Sequence, residues 1–242
     1  MTETRLNVDI YSDIACPWCF IGKRRFERAV AALPFGENID VKWHAFQLDP
    51  SAPEHFEGSG ADYFVKERGM PAEQIEGMLD HVSTQAAAEG LSFDMASVRP
   101  TNSFTALRLL ALAKDRGLGD TMKEVLLSAH FEKGVDTGNI QELQLIADSV
   151  GLDPAESAEV LAGERYGQEV RADGVRGREL GVSGVPFFVL EDKYGISGAQ
   201  PSEVFEQALR QVWDEISTTT QTLQPIGAAS PDGEACGPQG CN

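Results

Sequence analysis

Ser12-Asp13-Ile14-Ala15-Cys16-Pro17-Trp18-Cys19-Phe20-Ile21-Gly22-Lys23 is the stretch on which the reading of this chain turns. Upstream of it, Leu6, Val8 and Ile10 alternate with Asn7, Asp9 and Tyr11, the period of two of a strand with one buried face. Downstream, Phe26, Ala29, Val30 and Leu33 recur at helical spacing. Pro17 suits the first helical turn, where its missing N–H would have had no partner. The two cysteines therefore stand where a strand hands over to a helix. Unpaired backbone N–H groups and the helix dipole favour a thiolate there, and the thiolate is the attacking species in disulfide exchange. Cys16, at the exposed edge, is expected to be the more acidic, nucleophilic thiol, and Cys19, one turn further in, the resolving one.

Working outward, Pro34-Phe35-Gly36 ends the helix, and Ile39, Val41, Trp43 and Ala45 alternate with polar residues as a second strand. From about Ala61 to Leu180 the pattern is helical, with Ile75, Met78, Leu79 and Val82 on one face and Leu143, Ile146, Ala147 and Val150 on another. Gly69 with Pro71, Gly117 with Gly119, and the cap-plus-proline Asp153-Pro154 punctuate it. Strand character returns over Val185–Leu190, a turn at Glu191-Asp192-Lys193 leads into Tyr194–Ser197, and Pro201 opens a last amphipathic helix carrying Val204, Phe205, Ala208, Leu209, Val212 and Trp213. This order predicts an α/β protein in three parts: a discontinuous domain over 1–60 and 183–216, a helical insertion over 61–182, and a flexible tail over 217–242.

A chain of 242 residues, 42% hydrophobic, can bury a substantial core without staples. No apolar run approaches the ~20 residues of a membrane span, and the first residues lack the pattern of a signal peptide, so no membrane partner and a cytoplasmic location are expected. Thiols are kept reduced there, which makes the four cysteines reactive or metal-binding groups rather than cross-links. A formal net charge of -18 argues against nucleic-acid binding. The one dense basic run, Lys23-Arg24-Arg25 with Arg28, reads as a solvated helix face. His44, His55, His81 and His130 are isolated, and no Cys or His follows Cys19 at ligand spacing, so neither a metal site nor a cofactor is expected. Gly184-Val185-Pro186 puts a proline at the entrance of a strand, where an ordinary edge proline and a cis X-Pro bond are both open readings.

The runs Asp13–Lys23, Gly181-Val182-Ser183-Gly184-Val185-Pro186-Phe187-Phe188 and Gly198-Ala199-Gln200-Pro201, in this order of elements, resemble the DsbA-like thioredoxin superfamily, and within it the FrnE-type cytoplasmic branch. The resemblance implies a thioredoxin-like fold with a large all-helical insertion and a thiol–disulfide oxidoreductase, working as reductase, isomerase or oxidase. It implies that Pro186 is cis and faces Cys16 and Cys19 as part of the catalytic centre, with Pro17, Trp18 and the backbone of Val185 meeting substrate. Substrates would be proteins or small molecules with disulfides or thiols, and glutathione or a thioredoxin system would supply electrons. One departure stands out: many relatives carry Ala-His-Arg-Leu where this chain has Ala106-Leu107-Arg108-Leu109. Kappa-type glutathione transferases and 2-hydroxychromene-2-carboxylate isomerases share the fold but typically carry serine at the position of Cys16. A third reading is a non-catalytic metal-binding or chaperone protein.

Near the end lies Cys236-Gly237-Pro238-Gln239-Gly240-Cys241. Two glycines and a proline permit a tight turn that brings the cysteines within the roughly 7 Å between Cα atoms that a disulfide needs. The ~19 residues preceding it span about 24 Å as a flexible linker, enough to reach the first pair. A second redox pair exchanging electrons with Cys16 and Cys19, and a tail whose thiols are incidental or bind metal, are both open; the resemblance implies the former.

Overall fold

The computed structural model describes residues 4–54, 56–218, 236–237 and 240–241. Strand β1 (Leu6–Ser12) leads into helix α1 (Pro17–Ala31), and β2 (Ile39–Ala45) returns parallel to β1 with Val8 opposite Val41. The chain then leaves the sheet for helices α2 (Gly60–Arg68), α3 (Ala72–Ala88), α4 (Phe104–Asp115), α5 (Gly119–Phe131), α6 (Ile140–Ser149), α7 (Pro154–Ala162) and α8 (Gly167–Glu179). It comes back as the antiparallel strands β3 (Phe187–Leu190) and β4 (Tyr194–Ser197) and closes with α9 (Ser202–Thr218). The sheet order β2-β1-β3-β4, with β3 antiparallel to β1, is that of a thioredoxin-like fold interrupted by helices.

The alternation in β1 fixes both faces of the sheet. Leu6, Val8 and Ile10 meet Phe26 and Ala29 of α1, Phe188 and Leu190 of β3, and Phe205, Leu209 and Val212 of α9 in one core. Tyr11, from the other set, packs with Phe46, Val182 and Val189. Helix α8 lies against that second face. A Cβ on Gly177 would come within 3.0 Å of both the Phe46 and Tyr11 rings, so a glycine there sets how closely helix and sheet approach. Leu109, Leu112, Leu126, Leu143, Val160 and Val170 form a separate helical core, joined by Ile14 and Ala45 from the sheet side. A third cluster bridges the parts, with Phe20 and Ile21 of α1 against Val82 and Ala86 of α3 and Leu127 and Phe131 of α5.

That bridging changes the reading of the basic run. Lys23 is 2% exposed rather than solvated, and bonds Glu27 and, at 3.1 Å, Glu124. Arg24 donates to Glu124 (2.9 Å), while Arg25 reaches Glu89 (2.7 Å), Gln85 (2.7 Å) and the Ala199 carbonyl (2.6 Å); Arg28 also bonds Glu89. The polar side of α1 is covered by α3 and α5, so its cations are used as ties between helices. Among the described residues no helix is long and apolar enough to cross a membrane.

Candidate active site

Cys16 is the N-cap residue of α1, in extended backbone conformation, and Pro17 occupies the first helical turn. The Cys19 N–H donates to the Cys16 carbonyl (3.0 Å), which closes that turn and stacks the second cysteine below the first. Both are free thiols. Asp13 builds the approach to them: one carboxylate oxygen accepts from the Ile14 N–H (2.7 Å), and the other accepts from the Leu48 N–H (2.8 Å) beyond β2. The turn before the cysteines is thereby tied to both parallel strands.

Pro186 arrives from the other side. The Val185–Pro186 peptide is cis, the form the resemblance implies. The Cys16 thiol donates to the Val185 carbonyl at 3.4 Å. A Cβ on Gly22 would stand 2.8 Å from Pro186 Cγ, so the absence of a side chain on α1 is what lets the proline lie against the helix. The Pro186 carbonyl accepts from the Gly198 N–H (2.8 Å), and Arg25 holds the neighbouring Ala199 carbonyl, which anchors this loop at both ends. Cys16, Cys19, Val185 and Pro186 are thus one cluster. Trp18 is half-buried beside it, its ring 5.7 Å from that of His81 on α3.

The expectation of an exposed Cys16 is corrected by this geometry. Cys16 is only 4% exposed and Cys19 1%. Its hydrogen bond with Cys19, and then burial, push the Cys16 thiol well above its ordinary value. Burial opposes ionisation of Cys19 too, but the bond from Cys16, the positive charge of Lys123 and the Ser12 hydroxyl outweigh it and hold that thiol below its ordinary value. Helix-end N–H groups and dipole favour an anion at Cys16, while burial opposes charge on either thiol and Lys123, delivered by a helix far along the chain, favours it on Cys19.

A family model for the DSBA-like thioredoxin domain matches residues 7–210. The chain belongs to the DsbA-like thioredoxin domain family. It is 39% identical to a probable DsbA oxidoreductase from Streptomyces coelicolor, whose crystal structure superposes with a TM-score of 0.82 over 98% of this chain and 99% of that one. The uncharacterized protein YwbO of Bacillus subtilis is 28% identical over 217 residues, 84% of this chain and 96% of its own. The cytosolic disulfide reductase DsbM from Pseudomonas aeruginosa, at 19% identity and a TM-score of 0.61 over 86% of this chain and 99% of its own, shares the fold.

In this DsbA-like domain, Leu107 is buried in the helical core. An open cavity of about 1000 Å³, lined by Asn102, Phe104, Arg108, Arg171 and Arg178 among others, includes neither cysteine in its wall. Among the described residues no group of His, Cys, Asp and Glu could hold a metal ion. The second cysteine pair falls largely outside the described residues. What is described is a short antiparallel ladder, β5 (Cys236–Gly237) and β6 (Gly240–Cys241), in which Cys236 and Cys241 are directly opposed. Sequence reasoning missed Ser12 and Lys123 at the site. Ser12 ends a recognised strand next to the motif, so it had a weak signal; Lys123 had none.

Proposed function

We propose that this protein is a thiol–disulfide oxidoreductase that exchanges disulfides with protein or small-molecule partners through Cys16 and Cys19, as a member of the FrnE-type cytoplasmic branch. The observation that carries the reading is the paired free thiols at the start of α1, one of them hydrogen-bonded to the carbonyl that precedes Pro186. Val185 can offer its backbone to an extended substrate, as a strand edge does, which sets the substrate sulfur over Cys16. Pro17 and Trp18 flank that approach.

In the reducing direction, the pair holds one proton, and with that proton on Cys19 the outer sulfur is the attacking thiolate. The Cys16 thiolate attacks a substrate disulfide, forms a mixed disulfide and expels the first substrate thiolate, which takes the Cys19 proton. Cys19 then attacks Cys16, closing the Cys16–Cys19 bond and releasing the second substrate thiolate, protonated from solvent. Two electrons pass to the substrate and two thiols leave. Glutathione or a thioredoxin-type donor returns the dithiol, and Cys236 with Cys241 acts as the relay pair. No metal or cofactor takes part.

Serine at position 16 would leave glutathione binding or isomerisation open but no disulfide, so Cys16 separates this reading from the transferase and isomerase enzymes. The test is reduction of insulin disulfides by the full-length chain with glutathione as electron donor. Catalysis by the wild type that is lost in Cys16→Ser supports the reading; no turnover with disulfides, or full turnover in the variant, overturns it.

A further inference from the structure

Three arginines line the open cavity of about 1000 Å³ whose wall includes neither cysteine. Arg108, on α4, is 4% exposed. One of its terminal nitrogens donates to the Val160 and Gly163 carbonyls, both at 2.6 Å, where α7 ends, and the other to the Thr105 hydroxyl at 3.4 Å. Its Nε has no hydrogen-bond partner. All these acceptors are neutral, whereas a guanidinium does not give up its proton in a protein, and burying its charge without an anion is costly. Arg108 stands 5.7 Å from the centre of the Phe104 ring, and Arg171 of α8 lies over the same ring at 4.6 Å. Arg178, two turns further along α8, stands 5.8 Å from the Phe46 ring. Val170, Arg171, Gly174, Val175 and Arg178 recur at helical spacing, so one face of α8 carries both cations to the cavity, with no side chain at Gly174 between them. Among the described residues neither Arg108 nor Arg178 has a carboxylate within ion-pair distance. Arg171 has Glu164 at 3.5 Å, in an exposed pair of the kind that contributes little. The other acid of the wall is the exposed Glu54, so in a chain of net charge -18 this wall runs against the general charge of the molecule. The capped start of α6 at Asn139 adds the positive end of a helix, and the exposed apolar Ile140 and Val175 lie on the same wall.

We propose that this cavity is a binding site for a small organic anion, a carboxylate or phosphate group carried on an aromatic or apolar body. Arg171 and Arg178 donate to the oxyanion. The buried charge of Arg108, fixed in place by the carbonyls at the end of α7, supplies positive potential behind them, as does the start of α6. Phe104, Ile140 and Val175 meet the apolar body. The ligand thus brings the counter-charge that the fold does not provide for Arg108 and Arg178. The site stands apart from the thiols and does not rest on the dithiol reading.

The test is isothermal titration calorimetry of the full-length chain with phenyl phosphate, phenylacetate and inorganic phosphate. Saturable binding of phenyl phosphate or phenylacetate is expected, tighter than that of inorganic phosphate, and the better of the two identifies the headgroup. Arg171→Gln and Arg178→Gln each remove a charge-assisted hydrogen bond from an exposed side chain and should weaken binding about tenfold or more, with circular dichroism checking that each variant is folded. Arg116→Gln, which removes a surface arginine paired with Glu156 outside the cavity, should bind as the wild type does, and so should Cys16→Ser. No saturable binding of either aromatic probe, or full affinity in both cavity variants, overturns the proposal. Inorganic phosphate binding as tightly as phenyl phosphate overturns it too, as does an equal loss in Arg116→Gln, which would mark a diffuse charge effect. Insulin reduction plays no part in this readout, so failure of the dithiol reading would leave the result standing.

Discussion

His44 and His130 depart from the same ordinary histidine value in opposite directions, and each change has a visible cause. His44 is stacked on Tyr11, with Nε2 2.6 Å from Asp9 and Nδ1 2.9 Å from Asp173. Burial works against its charge, but the two carboxylates outweigh it and raise its pKa. The stability it adds is complete below its unfolded value and is lost as pH rises through the higher folded value. His130 is buried beside Thr137, with Nδ1 3.1 Å from the hydroxyl, and burial lowers it from 6.5 to about 4. Its stabilisation is complete above 6.5 and lost as pH falls toward about 4, roughly 3 kcal/mol in all. Denaturant melts across this range should show His130→Gln flattening the acid limb and His44→Gln flattening the near-neutral decline; unchanged limbs in the variants would refute the assignments. At the cysteines, Cys19→Ser leaves Cys16 to attack with no resolving thiol. It should accumulate a mixed disulfide with substrate, visible by mass spectrometry and absent from Cys16→Ser.

Among the elements, α1 packs with α9 and the sheet in one core behind the site. Phe26, Phe188 and Phe205 meet with ring centres 4.6 to 5.7 Å apart, one ring from each of α1, β3 and α9. Phe205→Ala empties the middle of this contact and should cost about 3–5 kcal/mol, read from chemical denaturation. Gly22→Ala tests the contact between α1 and the Pro186 loop. Its added methyl stands 2.8 Å from Pro186 Cγ, so the loop must shift away from the cysteines. The expected result is a loss of about 1–3 kcal/mol together with slower disulfide exchange. Unaltered exchange would mean that the loop's distance from α1 does not matter to the chemistry. The strand after this loop starts at Phe187, two residues later than its apolar run suggests, because Pro186 has no N–H to give the ladder.

At the scale of the whole molecule, Cys236 and Cys241 are proposed as the relay for Cys16 and Cys19. The directly opposed backbone positions of Cys236 and Cys241 make a self-contained pair feasible. Deleting residues 234 to 242 should slow turnover or shift the reduction potential while the thermal midpoint stays the same. Equal kinetics and potential after truncation would leave the second pair without a catalytic part.

The sequence by itself determined the alternation of Leu6, Val8 and Ile10, the helix opened at Pro17, the cap at Asp153, and the hairpin around Asp192, because each is set by neighbours within a turn or two of chain. The cysteine spacing and its place at a helix start were legible for the same reason, and the motif led on to Pro186 through the family resemblance. Tertiary structure alone brought a buried lysine to the turn that leads into the cysteines. Lys123 lies on α5 with nothing in its local sequence to mark it, and the basic run on α1 reads as solvated until α3 and α5 are seen to cover it. A pKa depends on burial and on charges a few ångströms away in space. Lys123 is separated from Cys19 by β2 and three helices of the insertion, a distance over which hydrophobic period and spacing carry no information.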